Sequence, residues 1–185
     1  PIVVLVVIQL SFAFSREREE VERRTLSNAQ QIVELVDARL QSDFTLMEVL
    51  ASAEMFDRRQ WGAAYERSSE FASLNPHWRN VIVSDLESGR EIFSTRKPYQ
   101  SNPTPLNPAI NANSNGVGEV RRDGPNCPCV YLHVPIGGEG SYLLTVAVDP
   151  QIFQAVVLQH SPTEAITALV DREGNFIARS AEYEE

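Results

Sequence analysis

From Ile2 to Trp61 the chain holds neither proline nor glycine. Those two residues stop helices most readily, so sixty positions without them set the architecture before anything else does. Between Val21 and Phe56 the apolar positions Leu26, Ala29, Val33, Val36, Leu40, Met47 and Leu50 fall at steps of three and four, interrupted by one polar position, Asp43. Ile32, Leu35, Phe44, Leu46 and Ala51 widen the stripe beyond a strict two-helix seam. The pattern predicts a helix of roughly forty residues, roughly 60 Å long, with a domain on one side and a second helix on the other. No other long amphipathic stretch completes a bundle. The break is expected at Gln60–Trp61–Gly62, and a shorter helix over Ala63–Leu74 ends where Asn75 precedes Pro76.

Residues 1–14, PIVVLVVIQLSFAF, are almost wholly apolar, and SREREEVERR over 15–24 is densely charged. Fourteen residues fall short of the roughly twenty that cross a bilayer. The run could be the end of a membrane helix, the core of a signal peptide or a buried strand rich in β-branched residues. The abrupt turn to mixed charge favours a membrane helix whose earlier part precedes Pro1, so the chain reads as a piece of a longer protein.

The formal net charge is −9, and Lys97 is the single lysine among sixteen basic residues. That balance argues against nucleic acid as a partner, because a binder of phosphate backbones needs a basic surface. Two cysteines are too few for a disulfide scaffold or a four-cysteine zinc site. Cys127-Pro128-Cys129 could hold a soft metal, close a local disulfide or supply small buried side chains.

Beyond His77 the texture turns to strands. Val81–Val83 and Glu91–Phe93 flank a polar turn, Asp85 to Gly89. Residues 97–128 hold six of the eleven prolines, with Asn102, Asn107, Asn111, Asn113 and Asn115 among them, which predicts a long, functionally placed loop. Strands follow at Val117–Arg122, Cys129–Ile136 and Ser141–Val148. A helix then starts behind Asp149 as cap and Pro150 as first residue, and runs to about His160. Alternation puts Val130, Leu132, Val134 and Ile136 on one face, and Cys129, Tyr131 and His133 on the other. Likewise Leu144, Val146 and Val148 oppose Leu143, Thr145 and Ala147. The hairpin VIVSDLESGREIFS (81–94) recurs as ALVDREGNFIARS (168–180), with Asp85 and Asp171 closing the first strands and Gly89 and Gly174 in the turns.

No phosphate loop, nucleophile elbow, zinc-protease motif or paired catalytic carboxylates occur in the sequence. The three histidines, His77, His133 and His160, are scattered without a second ligand at metal-binding spacing. Tyr131 and His133 offer a hydroxyl and an imidazole on the sheet face away from the long helix, where they either hold a small ligand or are half-exposed strand residues.

The succession of long helix, W-R-N-V-I-V-S-D hairpin, Pro/Asn loop, L-H-V-P-I and L-L-T-V-A-V-D-P strands, helix and V-D-R-E-G-N-F-I-A-R-S hairpin resembles the double Cache (PAS-like) extracytoplasmic sensor region of bacterial membrane receptors. It is most similar to those of proteobacterial sensor histidine kinases. The resemblance implies an α+β fold: a long N-terminal helix packed on an antiparallel five-stranded sheet, with a pocket on the other face under loops and frequent dimers along the helix. It divides the chain into a membrane stub (1–14), a membrane-distal sensor module (15–160) and the first hairpin of a membrane-proximal module (161–185). The R-x-W-Y signature of the amino-acid-binding branch is missing between Lys97 and Gly124, so amino acid ligands are not implied.

Carried onto this sequence, the pocket falls on Tyr131 and His133, with Tyr99 and Arg121 from the loop region as further candidates, and Trp78 and Arg79 as core or rim. The expectation is therefore a non-enzymatic, periplasmic ligand-sensing domain anchored in the bacterial inner membrane. It needs no cofactor or metal, binds an unidentified small molecule and forms a homodimer through the N-terminal helix. Its output is expected to be a histidine kinase, with a chemoreceptor or diguanylate cyclase as alternatives. A protein-interaction module without a small ligand is the other class considered.

Overall fold

The computed structural model describes residues 2–105, 116–122, 128–137, 141–162 and 166–181, with no side-chain description for 2–19, 119, 121 and 122. The expected membrane stub at 1–14 therefore lies outside the described side chains. Among the described residues no helix is long and apolar enough to cross a membrane.

Helix α1 runs from Ile2 to Ala51, 50 residues or about 75 Å. It stops some ten positions before the expected break, at a point with neither proline nor glycine. Ala53 takes extended dihedrals (φ −69°, ψ 133°), a single turn α2 (Glu54–Asp57) follows, and Arg59 adopts a left-handed φ of 54°. This corner buries Phe56 and reverses the chain, so that α3 (Trp61–Leu74) lies across the sheet. Tertiary burial of one phenylalanine here overrides good helix propensity. Gly62, expected as a breaker, sits inside the first turn of α3.

The strands are β1 (Trp78–Asp85), β2 (Arg90–Ser94), β3 (Thr104–Pro105), β4 (Gly116–Arg122), β5 (Pro128–Ile136) and β6 (Tyr142–Val148). They form one antiparallel sheet in the order β3-β2-β1-β6-β5-β4. The expected count was five. The sixth, β3, is a two-residue pairing of Thr104 with Glu91 and Pro105 with Arg90, inside the stretch read as loop. Helix α4 (Gln151–His160) follows β6, and β7 (Ala168–Val170) pairs with β8 (Phe176–Arg179) in a separate hairpin. Pro150 has helical dihedrals and Asp149 Oδ1 accepts the Gln151 N–H at 2.9 Å, so Asp149 caps α4 as its sequence predicts.

The sheet is two-faced, as the alternation requires. Val81, Val83, Phe93, Leu132, Leu144 and Val146 point to one side, where α1, α3 and α4 cover them. From α1 this core takes Ile32, Val36, Met47 and Leu50; burial of each such side chain contributes about 1.5–3 kcal/mol. The stripe then divides. Leu26 (60% exposed) and Val33 (51%) are left in solvent, while Asp43 is buried in register with the apolar positions.

Candidate functional site

The opposite face of the sheet carries the polar residues. Asn80, Ile82 and Ser84 of β1, Leu143, Thr145 and Ala147 of β6, and Cys129, Tyr131 and His133 of β5 all point there and are all buried. The described helices pack on the other side, so this face is buried without helical cover. Antiparallel pairing sets its centre: Thr145 stands opposite both Ile82 and His133, and Ala147 opposite Tyr131. The Tyr131 and His133 rings lie nearly parallel, 11° apart, with centroids at 6.5 Å.

His133 is 1% exposed, and its Nδ1 lies 3.0 Å from Thr145 Oγ1. Burial drives its pKa down to about 4, so the imidazole is neutral at pH 7. A neutral ring keeps one donor and one acceptor. Space for it comes from Gly118 on β4: a Cβ there would stand 2.8 Å from His133 Nε2 and 3.2 Å from the Tyr131 carbonyl oxygen. Ser84 Oγ is fully buried and makes no hydrogen bond among the described residues. A buried hydroxyl of this kind can bond a ligand or an ordered water. At one edge, Asn80 Oδ1 accepts from Ser94 Oγ (2.9 Å), Thr95 Oγ1 (3.2 Å) and Arg96 N–H (3.3 Å), which fixes the turn out of β2.

The structure thus brings Tyr131 and His133 together, but not all the residues grouped with them. Tyr99 (37% exposed) lies against Tyr65 of α3, ring centroids 5.6 Å apart, and Tyr65 packs edge-on against Phe93 of the helix-side core. Tyr99 therefore sits beside α3, across the sheet from His133. Arg121 stands on β4 opposite Cys129, and its side chain is outside the described residues. Trp78 is core, and Arg79 is rim, donating from Nε and Nη2 to Asp149 Oδ2. Cys129 is disulfide-bonded and fully buried; the other cysteine, Cys127, lies outside the described residues.

One polar cluster escaped the sequence reading. Asp43 of α1 is 1% exposed, and its Oδ1 accepts from Trp78 Nε1 at 2.9 Å and from His77 Nε2 at 2.7 Å. Arg39 Nη2 approaches His77 Nδ1 to 3.0 Å, and Arg39 Nε stands 4.0 Å from Asp43 Oδ2. An arginine can only donate, so His77 accepts at Nδ1 and carries its proton on Nε2, facing Asp43. The signal was available: a carboxylate in phase with an apolar stripe must be buried, and a buried carboxylate must find donors.

The repeated hairpin motif has a common mechanism. Asp85 Oδ1 accepts from the N–H groups of Glu87 and Ser88, and Asp171 Oδ1 from those of Glu173 and Asn175. Gly89 and Gly174 supply the positive φ each turn needs, 64° and 86°. Asp171 also reaches the sheet: its Oδ2 accepts the Val120 N–H of β4 at 3.1 Å and Asn175 Nδ2 at 2.9 Å. Desolvation raises the Asp171 pKa, and these hydrogen bonds more than reverse it, holding the carboxyl below its ordinary value. The hairpin is fixed a second time where Gln154 of α4 bonds both the N–H and the carbonyl of Arg179.

No family model matches the chain, and no curated protein matches its sequence. Among solved structures, the ligand-binding domain of the Campylobacter jejuni chemoreceptor Tlp3, crystallised in complex with L-valine, is similar at 14% identity and a TM-score of 0.36, over 80% of this chain and 74% of that one. The likeness is slight.

Proposed function

We propose that this chain is the extracytoplasmic ligand-sensing part of a bacterial transmembrane receptor, with the pocket on the sheet face that α1 leaves free. The observation that carries the reading is the burial of Tyr131, His133, Thr145 and Ser84 on that face, where the His133 imidazole is neutral and the Ser84 hydroxyl has no hydrogen bond among the described residues. A small molecule with hydrogen-bonding groups and an apolar body suits it, against Ile82, Leu143 and Ala147. Binding shifts an equilibrium between two sheet-to-helix arrangements, by no more than the ligand's differential affinity for the two.

Location outside the cytoplasm is supported by the disulfide at Cys129, since such bonds persist in oxidising compartments, and by the apolar run at 1–14 before a charged stretch. A homodimer through α1 is supported by Leu26 and Val33, which stand exposed seven residues apart, so on one side of the helix. The output assigned is a histidine kinase, on the strength of the V-D-R-E-G…I-A-R-S pattern; chemoreceptor and diguanylate cyclase share such sensors. The slight likeness to Tlp3 carries none of this weight.

A metabolite library screened by thermal shift tests the reading. A cognate ligand stabilises the fold by mass action, about 2.7 kcal/mol at a hundredfold excess over Kd, and so raises the melting temperature. Tyr131→Ala and His133→Ala should each abolish that rise while remaining folded. Full binding in both variants places the site elsewhere, and a library without a hit favours a protein-interaction module.

A further inference from the structure

A cavity of about 390 Å³ lies on the helix side of the sheet, where the β7–β8 hairpin meets α1 and α4. Its walls are Val36 and Leu40 of α1, Val130 of β5, Phe153 of α4, and Leu169 and Ile177 of the hairpin. The β4 bulge at Val117–Gly118 closes one side. Among the described residues, the polar side chains on the lining are Asp37, Asp171 and Arg172. Asp171 already accepts four hydrogen bonds, and Asp37 and Arg172 are one charge of each sign. The described lining is therefore mostly apolar, with two carboxylates against one guanidinium at its polar end.

We propose that this junction cavity binds an uncharged, largely apolar small molecule, an aromatic ring or a branched hydrocarbon skeleton. Its volume falls in the usual range for ligand pockets, roughly 300–1,000 Å³. Any ion would give up its hydration on this largely apolar lining, and an anion would also meet two carboxylates against one guanidinium, which selects against ions. The occupant touches α1, α4, β4 and the hairpin at once, so it cements the second module to the first at the point where Asp171 holds Val120. The site lies on the helix side of the sheet and the Tyr131–His133 face on the other, with Gly118 bordering both, and the proposal stands whether or not the receptor reading does.

The test is titration of the 185-residue chain with indole, followed by methyl NMR. Saturable shifts are expected at the methyls of Val36, Leu40, Val130, Leu169 and Ile177. Val117 is 43% exposed at the rim, so Val117→Phe can fill the cavity without disturbing the core, and it should weaken indole at least tenfold. Leu169→Phe fills it from the hairpin side, and supplies the same comparison if the strand variant does not fold. The anionic analogue indole-3-acetate should bind at least tenfold more weakly than indole. Absence of saturable shifts at those methyls, shifts centred on Ile82 or Ala147, or undiminished binding in the filled variants overturns the proposal.

Discussion

Replacing Asp43 with alanine should loosen the hold of α1 on the start of β1 and cost the fold much of its stability. The substitution removes an acceptor for two hydrogen bonds, at 2.7 and 2.9 Å, from His77 and from the buried Trp78 indole. Hydrogen bonds to an ionised group are worth about 1.5–3 kcal/mol each, and a buried donor left unpaired costs about 1–3 kcal/mol. Breaking one side of a buried charged cluster typically costs about 3–5 kcal/mol, and we expect a loss in that range. In a chain of this length that corresponds to a fall in Tm of about 6–20 °C. Asp43→Asn keeps a carbonyl acceptor in place and should lose much less, about 1 kcal/mol. Urea melts followed by circular dichroism measure both. In the double variant Asp43→Ala/Trp78→Phe the orphaned indole donor is gone, so the loss should fall short of the sum of the single losses by about 1 kcal/mol or more. If Asp43→Ala lies within about 1 kcal/mol of the parent, or matches Asp43→Asn, the carboxylate is not holding helix to sheet.

Three further outcomes follow from named contacts. His133 has a folded pKa of about 4 against 6.5 for the free side chain, so the unfolded chain takes up the proton first. The stability it supports is complete above pH 6.5 and is lost as pH falls toward 4, about 3 kcal/mol in all, and His133→Gln should remove that part of the acid-side decline in urea melts. Gly118→Ala drives a Cβ to within 2.8 Å of His133 Nε2 and 3.2 Å of the Tyr131 carbonyl oxygen, and should cost about 1–3 kcal/mol while shifting the His133 ring resonances; a silent substitution would mean β4 is looser than described. Asp171→Ala should speed hydrogen exchange at the Val120 amide, whereas in the parent that protection should persist as pH falls through the ordinary carboxylate range, because the folded carboxyl titrates lower.

The strands were legible because alternation is a strict period of two. The division of β5 into Val130, Leu132, Val134 and Ile136 against Cys129, Tyr131 and His133 needed no tertiary information, and with it came the pairing of Tyr131 and His133 on the face opposite the long helix. The two Asp–Gly turns were legible for the same reason: their chemistry is local. What failed was long-range. The end of α1 at Ala51 follows from the burial of Phe56, which no propensity at Ser52 or Ala53 announces. The pairing of Thr104–Pro105 depends on a neighbouring strand edge rather than on its own composition. Tyr99 went to α3 because Tyr65 offers it an aromatic surface, a contact between residues more than thirty positions apart. Asp43 was visible but misread, since a polar residue in an apolar register looks like an interruption until its donors, His77 and Trp78, are in place.

The central claim is that the two faces of the sheet divide the work, α1 holding one and a small molecule the other. Hydrogen–deuterium exchange on the chain with and without a thermal-shift hit tests it most directly. Slowed exchange along β5 and β6 around Tyr131, His133 and Thr145, together with altered exchange in α1, is the result expected. Protection confined to the exposed stretch of α1 around Leu26 and Val33, with β5 and β6 unchanged, would contradict it.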